Sequence, residues 1–260
     1  MRFFDLHNDF PTKIDDFTTL VADANVEIIG AVYSGNRTFS QAIEIAKKVN
    51  DFGKNIYLGF ENIGYKDLDI EKVVELKPKY VSLTYNGEND LGYGCDFDLP
   101  LKSYGKSVAK RLVDSGITID VAHTCEKGAF SVLDVTDKVI CSHTALSCVC
   151  SHKRNVSNEL IKEIVNRGGV IGVTLVQVFL GEKDVTIYDL YKHIDTFVST
   201  FGINSLSIGT DFYGAKYMAG DIKEYNQFKL LESVLENKGY TANDIDRIFY
   251  QNARDYFFKE

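Results

Sequence analysis

Eight short apolar runs, most of them separated by longer amphipathic stretches, are the feature that most limits how this chain can fold. The runs are rich in β-branched and aromatic residues and nearly continuous in apolar residues, as in Val139-Ile140-Cys141. Continuous rather than alternating apolar character is typical of parallel strands that are covered on both faces. The predicted strands are residues 2–9, 25–34, 56–61, 80–86, 118–123, 138–143, 169–176 and 205–211.

Helical spacing of apolar residues marks the stretches between these runs, as at Ile43, Ala46 and Val49. Eight β/α repeats with short connections predict an α/β fold, a single (β/α)8 TIM barrel, with residues 1–260 forming one domain. A doubly wound open sheet is the alternative, but the first βα turn lacks the glycine fingerprint of a dinucleotide site. The predicted helices are residues 38–51, 67–76, 103–116, 125–134, 157–167, 185–200, 224–238 and 242–257.

Charge and cysteine usage restrict the partners. The formal net charge of −8 disfavours nucleic acid or an anionic membrane as a main partner. We expect no signal peptide before the first strand, and the longest uncharged stretch, residues 168–181, is too short to span a bilayer. Five unevenly spaced cysteines fit reduced thiols, so we expect a cytoplasmic location. Cys148-x-Cys150-x-His152 is a weaker candidate site for a soft metal.

Side chains suited to metal binding or proton transfer follow five of the predicted strands. Active sites of such barrels form at the carboxyl ends of the strands, so we expect these side chains to meet at one rim. Taken singly, each has an ordinary explanation: a rim histidine can be structural, and an aspartate can belong to a turn or cap a helix. The six candidates are His7 and Asp9 after strand one, Glu61 after strand three, His123 after strand five, His143 after strand six and Asp211 after strand eight.

The composition of this set predicts a metal centre. A carboxylate at the end of a buried strand is costly unless a cation meets it. Mixed nitrogen and oxygen ligands suit zinc, with manganese or cobalt as alternatives. Six candidates exceed the needs of one tetrahedral ion, so we expect two divalent ions with a bridging carboxylate. Such a site can hold a hydroxide at neutral pH and polarise a carbonyl group.

The motifs around these residues resemble a known family, the membrane (renal-type) dipeptidases, peptidase family M19, within the wider amidohydrolase group. The resemblance covers nearly the whole chain, and the Arg-Asn-Val loop and the Gly-x-Asp-Phe-x-Gly strand are specific when they occur together. The similar segments are His-Asn-Asp-Phe-Pro at 7–11, Ile-Asp-Val-Ala-His at 119–123, Ser-His-Thr-Ala at 142–145, the loop at 150–156, Gly-Gly-Val-Ile at 168–171 and the strand end at 208–214.

The resemblance implies a dipeptidase that hydrolyses dipeptides by attack of a hydroxide bridging two zinc ions. It also implies a role for each matching residue, and relatives that are often dimers make a homodimer possible. His7 and Asp9 would bind one zinc, Glu61 would bridge the two, His123 and His143 would bind the second, Asp211 would transfer the proton, and Arg154 would bind the substrate's terminal carboxylate.

One position departs from the family pattern. The family has a histidine in a Leu-Thr-His stretch after strand four, where this chain has Leu83-Thr84-Tyr85. A phenol can still donate a hydrogen bond to a developing oxyanion, so Tyr85 is a candidate for both catalysis and substrate binding. The departure leaves two alternatives open: another amidohydrolase-type hydrolase of small amides or lactones, or a non-catalytic barrel that binds metal or peptide.

Overall fold

Eight parallel strands form a closed barrel in chain order in this computed structural model, which describes residues 1–13, 24–53 and 55–259. The closed barrel with interleaved helices confirms the (β/α)8 prediction and excludes the open sheet. The predicted domain, 1–260, also contains residues 14–23, 54 and 260, which lie outside the described part. The strands are β1 (Phe3–Asn8), β2 (Val26–Tyr33), β3 (Ile56–Glu61), β4 (Tyr80–Ser82), β5 (Thr118–Asp120), β6 (Val139–Thr144), β7 (Ile171–Val173) and β8 (Leu206–Ile208).

The helices surround the barrel, and most lie within a few residues of their predicted positions. Two short ones, α1 and α7, were not predicted. The last predicted helix is one continuous stretch in which a π-helical turn, Arg247–Gln251, separates two α-helical parts. The helices are α1 (Phe10–Lys13), α2 (Phe39–Asp51), α3 (Ile70–Glu75), α4 (Ser103–Asp114), α5 (Glu126–Leu133), α6 (Asn158–Asn166), α7 (Gln177–Leu180), α8 (Ile187–Phe201), α9 (Phe228–Asn237), α10 (Ala242–Asp246) and α11 (Asn252–Phe258), with 3-10 turns at Ala219–Asp221 and Tyr225–Gln227.

Four strands end three or four residues earlier than predicted, because the apolar runs continue beyond the last ladder hydrogen bond into the loops of the rim. The predictions 80–86, 118–123, 169–176 and 205–211 are therefore wrong at their ends. After β4, the side chain of Asn89 rather than a neighbouring strand donates to the carbonyl oxygen of Leu83 (2.8 Å). After β5 and β8, the backbone turns at His123 (φ 69°) and Asp211 (φ 60°), in the left-handed region that ends a strand.

The connection between β4 and α4 is also longer than the predicted short loops. It runs from residue 83 to residue 102 and is held by Asn89, whose Oδ1 accepts hydrogen bonds from the backbone N–H groups of Leu91 and Gly92 (2.8 and 3.0 Å). Loops of this length in compact domains are usually functional. This one carries Tyr85 and Asn86 over the rim of the barrel.

Apolar packing places the rim on a rigid support. A large buried cluster joins the outer faces of the strands to the surrounding helices. A second cluster contains Phe4, Ile29, Tyr80 and Ile140, and these residues come from strands that are not all neighbours, so their side chains meet across the barrel interior. The strand register shifts within β1 and within β6, the strands that carry His7 and His143. Such irregularities redirect side chains next to functional sites.

A bilayer-spanning helix is not found among the described residues, since none of their helices combines the necessary length with enough apolar character.

Candidate metal centre and active site

The structure brings all eight predicted site residues to the carboxyl-terminal rim of the barrel. Six of them line a cavity of about 220 Å³: Asp9, Glu61, Tyr85, His123, Arg154 and Asp211. His7 and His143 are buried against them, with 0% and 1% of their surface exposed. We refer to His7, His123 and His143 as the rim histidines.

Glu61 lies at the centre of the rim histidines. Its Oε1 atom is 2.8 Å from His123 Nε2, 3.6 Å from His143 Nε2 and 3.9 Å from His7 Nε2. The Nε2 atoms of His123 and His143 are 3.0 Å apart. Two nitrogen ligands of one tetrahedral zinc lie about 3.3 Å apart, so the separations around Glu61 suit a shared cation.

The hydrogen bonds of the Nδ1 atoms of His123 and His143 determine which nitrogen of each ring carries the proton. Asp120 accepts the hydroxyl hydrogen of Ser142 (2.6 Å), so Ser142 Oγ is an acceptor for His143 Nδ1–H (2.8 Å). Asn86 Oδ1 can only accept, so His123 donates to it through Nδ1–H (2.7 Å). Both neutral rings therefore direct a bare Nε2 lone pair at each other and at Glu61. These facing lone pairs need a hydrogen or a cation between them: burial and Asp9 raise the pKa of Glu61 well above its ordinary value, so its carboxyl group can supply the hydrogen, and a metal ion can take its place.

The other side of the centre is rich in carboxylates. Nε2 of His7 and Oδ1 of Asp9 are buried without a hydrogen-bond partner, although such atoms are normally paired. His7, Asp9 and Asp211 each offer a ligand atom, and these atoms lie within 4.8 Å of one another. Gly214 makes this approach possible, because a Cβ atom there would collide with the carboxylate oxygens of both Asp9 and Asp211. A divalent cation would satisfy these orphaned atoms, so the residues fit a metal.

The ionisation of these groups follows from burial and from the surplus of carboxylates. Burial lowers the pKa of His123 and of His143 well below the ordinary value, and the charge of Arg154 acts in the same direction. Burial and the neighbouring Asp9 raise the pKa of Asp211 to about 8. Burial opposes the charged form of His7, but Asp9 and Glu61 outweigh it and raise the pKa of His7 to about 10. The three carboxylates of the centre thus share one charged ring, that of His7.

Arg154 supplies a buried cation above the centre. Only 6% of its surface is exposed, its Nη2 donates to the backbone oxygen of His143 (3.4 Å), and its guanidinium lies 5.3 Å from the ring centre of Phe179. Its Nε–H is buried without an acceptor. A buried donor of this kind at the wall of a cavity is suited to a carboxylate of a ligand.

Tyr85 forms an aromatic wall of the cavity. Its ring stacks on His123 (centroids 4.2 Å apart, planes at 26°) and tilts against Tyr33 (4.7 Å). Burial and the charge of Glu61 raise the pKa of Tyr85, so the phenol keeps its proton and remains a donor. The tyrosine thus covers one face of a candidate ligand and presents a hydroxyl group to the cavity.

With this geometry established, the comparison with protein families becomes specific. The model of the membrane dipeptidases (peptidase family M19) matches residues 26–254 of the chain. The chain belongs to this family. The match contains Glu61, His123, His143, Arg154 and Asp211, while His7 and Asp9 precede it.

Relatives of this M19 chain bear dipeptidase names. An uncharacterized dipeptidase of Schizosaccharomyces pombe is 25% identical over 95% of the chain and 64% of its own length. Dipeptidase aclJ of Aspergillus oryzae is 23% identical over 72% of the chain and 46% of its own length. The chain thus spans about half to two thirds of the length of these relatives.

A solved structure shares the fold. The metallopeptidase of Rhodobacter sphaeroides, in complex with a phosphinate mimic of the dipeptide L-Ala-D-Ala, superposes with a TM-score of 0.84 at 16% identity, covering 99% of this chain and 98% of that one. At this identity, the likeness shows the barrel architecture alone.

Several residues of the M19 site were missed by sequence reasoning. Asn86 and Tyr80 bind the Nδ1 atoms of His123 and His7 (2.7 and 2.8 Å). Asp5 and Asp120 are buried carboxylates inside strands. The sequence did offer a signal for the two aspartates: a carboxylate in an otherwise apolar strand needs hydrogen-bond donors around it.

The two remaining histidines lie outside the metal centre. Among the described residues, the groups of close candidate ligands at the rim contain neither His152, nor His193, nor a cysteine. His152 packs on Phe179 (4.7 Å) and its Nδ1 accepts the backbone N–H of Arg154 (3.2 Å). The Cys148-x-Cys150-x-His152 site for a soft metal therefore has no support in the described geometry.

Proposed function

We propose that this M19 chain is a metal-dependent dipeptidase with two divalent ions, namely zinc, at the rim of the barrel. The observation that carries the proposal is the set of bare lone pairs on His123 Nε2, His143 Nε2 and Glu61 Oε1, which face one another at 2.8–3.6 Å. Family membership and the dipeptidase names of the relatives supply the reaction class.

The donor set divides into two groups around Glu61. His7 and Asp9 would hold one ion, His123 and His143 the other, and Glu61 would bridge them. When bound, such ions polarise a carbonyl group and make a water molecule acidic enough to attack at neutral pH. The neutral acceptors Asn86 and Ser142 keep the Nε2 atoms of His123 and His143 free of hydrogen.

Arg154 would hold the terminal carboxylate of the substrate. Its unpaired Nε–H and its fork geometry suit a bidentate carboxylate, which would place the adjacent amide bond over Glu61 and Asp211. The cavity of about 220 Å³ is smaller than the roughly 300–1,000 Å³ of drug-sized ligand sites, which favours a short peptide. The dipeptide mimic bound by the Rhodobacter sphaeroides enzyme agrees with this size.

Asp211 would transfer the proton, and Tyr85 would stabilise the negative charge that develops on the carbonyl oxygen. A carboxylate of Asp211 would accept a proton from the attacking water and pass it to the nitrogen of the leaving amine as the C–N bond breaks. The hydroxyl of Tyr85 would donate to the carbonyl oxygen as negative charge develops there. Burial and the neighbouring Asp9 favour the protonated form of Asp211, which suits it to deliver a proton.

The decisive experiment combines metal analysis with a dipeptide panel. Chelator-free protein should contain about two zinc ions per chain, and it should hydrolyse part of a mixed library that includes dipeptides with a D-residue at the carboxyl end. Asp211→Asn should lower kcat by about 10²–10⁴-fold with zinc content retained. Well under one ion per chain, or wild-type turnover by Asp211→Asn, would contradict the proposal.

The same panel separates the alternatives that Tyr85 raised. Turnover of lactones or cyclic amides in preference to dipeptides would favour another amidohydrolase activity. If the wild-type protein bound zinc but hydrolysed no compound, and Tyr85→His gained dipeptide hydrolysis, a barrel that only binds metal or peptide would be favoured.

Three further predictions remain to be tested. We propose that residues 1–260 act as one hydrolase domain, that the protein is cytoplasmic, and that it forms a homodimer. All five cysteines are free thiols in the structure, which supports a reducing location. Cell fractionation and analytical ultracentrifugation would test location and assembly.

A further inference from the structure

Two buried aspartates, Asp5 in β1 and Asp120 in β5, share a set of three hydrogen bonds on opposite sides of the barrel, and Asp5 also accepts from the Tyr225 hydroxyl (2.7 Å). In each, Oδ1 accepts the backbone N–H of the residue two positions later, His7 (3.2 Å) or Ala122 (3.0 Å). In each, the carboxylate also accepts two hydrogen bonds from one hydroxyl residue of the adjacent strand or just beyond its end, Ser142 in β6 or Thr210 after β8. β1 and β5 are four strands apart in the eight-stranded ring.

The distances of the second contact are the same in both places. The backbone N–H of Thr210 lies 2.8 Å from Asp5 Oδ1 and its hydroxyl 2.6 Å from Asp5 Oδ2. The backbone N–H of Ser142 lies 2.8 Å from Asp120 Oδ1 and its hydroxyl 2.6 Å from Asp120 Oδ2. We call these two arrangements the aspartate clamps.

The strand register of the clamps is also the same. Asp5 is aligned with Ile208 and Asp120 with Ile140, and the hydroxyl residue comes two positions after the isoleucine in both cases. The clamps differ in direction, because β1 reaches the preceding strand of the ring and β5 the following one. A repeated arrangement at equivalent register is unexpected from the general need to pair a buried carboxylate.

The residue that follows each hydroxyl residue belongs to the metal centre. At β6, the Ser142 hydroxyl donates to Asp120 and therefore accepts from His143 Nδ1–H (2.8 Å). The Asp120 clamp thus sets the tautomer of His143 as well as the direction of its ring.

At β8, the clamp acts on the backbone around Asp211. The Thr210 hydroxyl donates to Asp5 and accepts the backbone N–H of Phe212 (3.1 Å), while the N–H of Asp211 donates to the backbone oxygen of His7 (3.1 Å). These bonds enclose Asp211, whose φ of 60° is uncommon for a residue with a side chain. Such conformations persist only where the surroundings hold them.

We propose that the two aspartate clamps are positioning devices with separate duties: Asp120 and Ser142 prepare His143 for metal binding, and Asp5 and Thr210 orient Asp211 for proton transfer. The inference rests on the proposed metallodipeptidase function and deepens it. A purely structural role would predict a loss of stability alone, whereas separate duties predict different functional losses at the two clamps.

The first test measures the metal affinity of the Asp120 clamp. In Asp120→Asn, an amide N–H would face the Ser142 hydroxyl, which would then donate to His143 Nδ1 and move the ring proton to Nε2. We expect zinc affinity, measured by competition with a chromophoric chelator, to fall about 10–100-fold in Asp120→Asn and in Ser142→Ala. Thr210→Val, the matched variant at the other clamp, should bind zinc within about twofold of wild type.

The second test measures catalysis at the Asp5 clamp. In zinc-saturated protein, Thr210→Val should lower kcat on the best dipeptide about 10–100-fold with KM nearly unchanged, and Thr210→Ser, which keeps the hydroxyl, should restore it. Asp5→Asn should also lower kcat. Equal zinc affinities in all variants, or wild-type kcat in Thr210→Val, would overturn the assignment of duties.

A third measurement depends on neither zinc nor activity. Side-chain ¹⁵N NMR of the metal-free protein should show the His143 proton on Nδ1 in wild type and on Nε2 in Asp120→Asn. An unchanged tautomer would overturn the role of Asp120. If the wild-type protein bound no zinc, both the proposed function and the proposed roles of the clamps would be wrong. If the wild-type protein bound zinc and hydrolysed dipeptides, but the clamp variants did so equally well, only the clamp proposal would be wrong.

Discussion

His193 and the rim histidines are almost equally buried, but the two regions differ in what faces the ring nitrogens. His193 in α8 is fully buried, accepts the backbone N–H of Leu146 through Nδ1 (3.1 Å) and donates to the backbone oxygen of Leu180 through Nε2 (3.2 Å). The rim histidines have a partner on Nδ1, while Nε2 faces only acceptors or carboxylates. The comparison teaches that burial does not separate a structural histidine from a ligand, whereas the count of satisfied nitrogens does.

Unsatisfied hydrogen-bonding atoms also distinguish Arg154 from a structural arginine. A structural arginine normally uses its guanidinium on fixed acceptors, as Arg111 does with both carboxylate oxygens of Glu71. Arg154 is more deeply buried, yet its Nε–H has no acceptor. The unsatisfied atoms of Asp9 and Arg154 therefore lie around one cavity, where a ligand would complete them.

The largest expected effect is the response of stability to zinc. Free zinc at about 1,000 times Kd should raise the free energy of unfolding by about 4 kcal/mol, because the folded state alone presents the assembled ligands. His143→Ala should remove most of this response and His193→Gln should keep it. Denaturant unfolding with and without chelator measures both, and an equal response in the two variants would break the distinction between the two kinds of histidine.

The next effect is a pH dependence that belongs to His193. Burial lowers its pKa to about 4, below the ordinary value of 6.5. Above pH 6.5 neither the folded nor the unfolded chain binds the proton. Between pH 6.5 and 4 the unfolded chain binds it and the folded chain does not, so the free energy of unfolding decreases as the pH is lowered. The total loss is about 3 kcal/mol by pH 4.

The matched variant for this prediction is His193→Gln, which can both accept from Leu146 and donate to Leu180. The variant lacks the titrating group, so its stability deficit relative to wild type should shrink by about 3 kcal/mol between pH 7 and pH 4. Other titrating groups are shared by both proteins and cancel in the difference. Urea unfolding measures the stability of both proteins at each pH. A stability difference between them that stays constant from pH 7 to pH 4 would refute the assignment of this pH dependence to His193.

The sequence predicted the members of the centre better than their surroundings. Apolar runs ending in His7, Glu61 or His143 indicate strands, and the rule that barrel sites lie at carboxyl ends then brings these residues together. Loop paths cannot be derived in this way. Asn86 reaches His123 because the loop from 83 to 102 folds back over the rim, and no periodicity encodes that course.

Closure of the barrel is the second source of unpredicted contacts. Asp5 and Thr210 are 205 residues apart in the chain and meet only because β8 completes the ring beside β1. The left-handed backbone of His123 and Asp211 is equally invisible in the sequence, since most residues with side chains avoid it. Long-range pairing and local strain thus decide the details that residue types leave open.

A smaller effect, in KM, should follow from Arg154→Lys. Lysine keeps the charge but loses the fork, so binding of a terminal carboxylate should weaken by about 2 kcal/mol, or about 30-fold in KM. Wild type should prefer dipeptides over their carboxyl-terminal amides, and the variant should lose much of this preference. Lys162→Gln, at an exposed lysine of α6 that does not line the cavity, is the control with an unchanged preference. An unaltered ratio of acid to amide turnover in Arg154→Lys would place the carboxylate elsewhere.

The smallest effect should come from Tyr85→Phe, which keeps the ring on His123 and removes only the hydroxyl. Loss of a buried oxyanion donor costs about 10²–10³-fold in kcat, but the side chain of Tyr85 is only partly buried, so we expect about tenfold. Zinc affinity should stay the same, because the stacking on His123 is preserved. Tyr85→Leu, which loses both the hydroxyl and the stack, should lower kcat and zinc affinity together. If Tyr85→Phe turned over dipeptides at the wild-type rate, the ring alone would account for Tyr85, and charge on the carbonyl oxygen would have to be met by the metal centre.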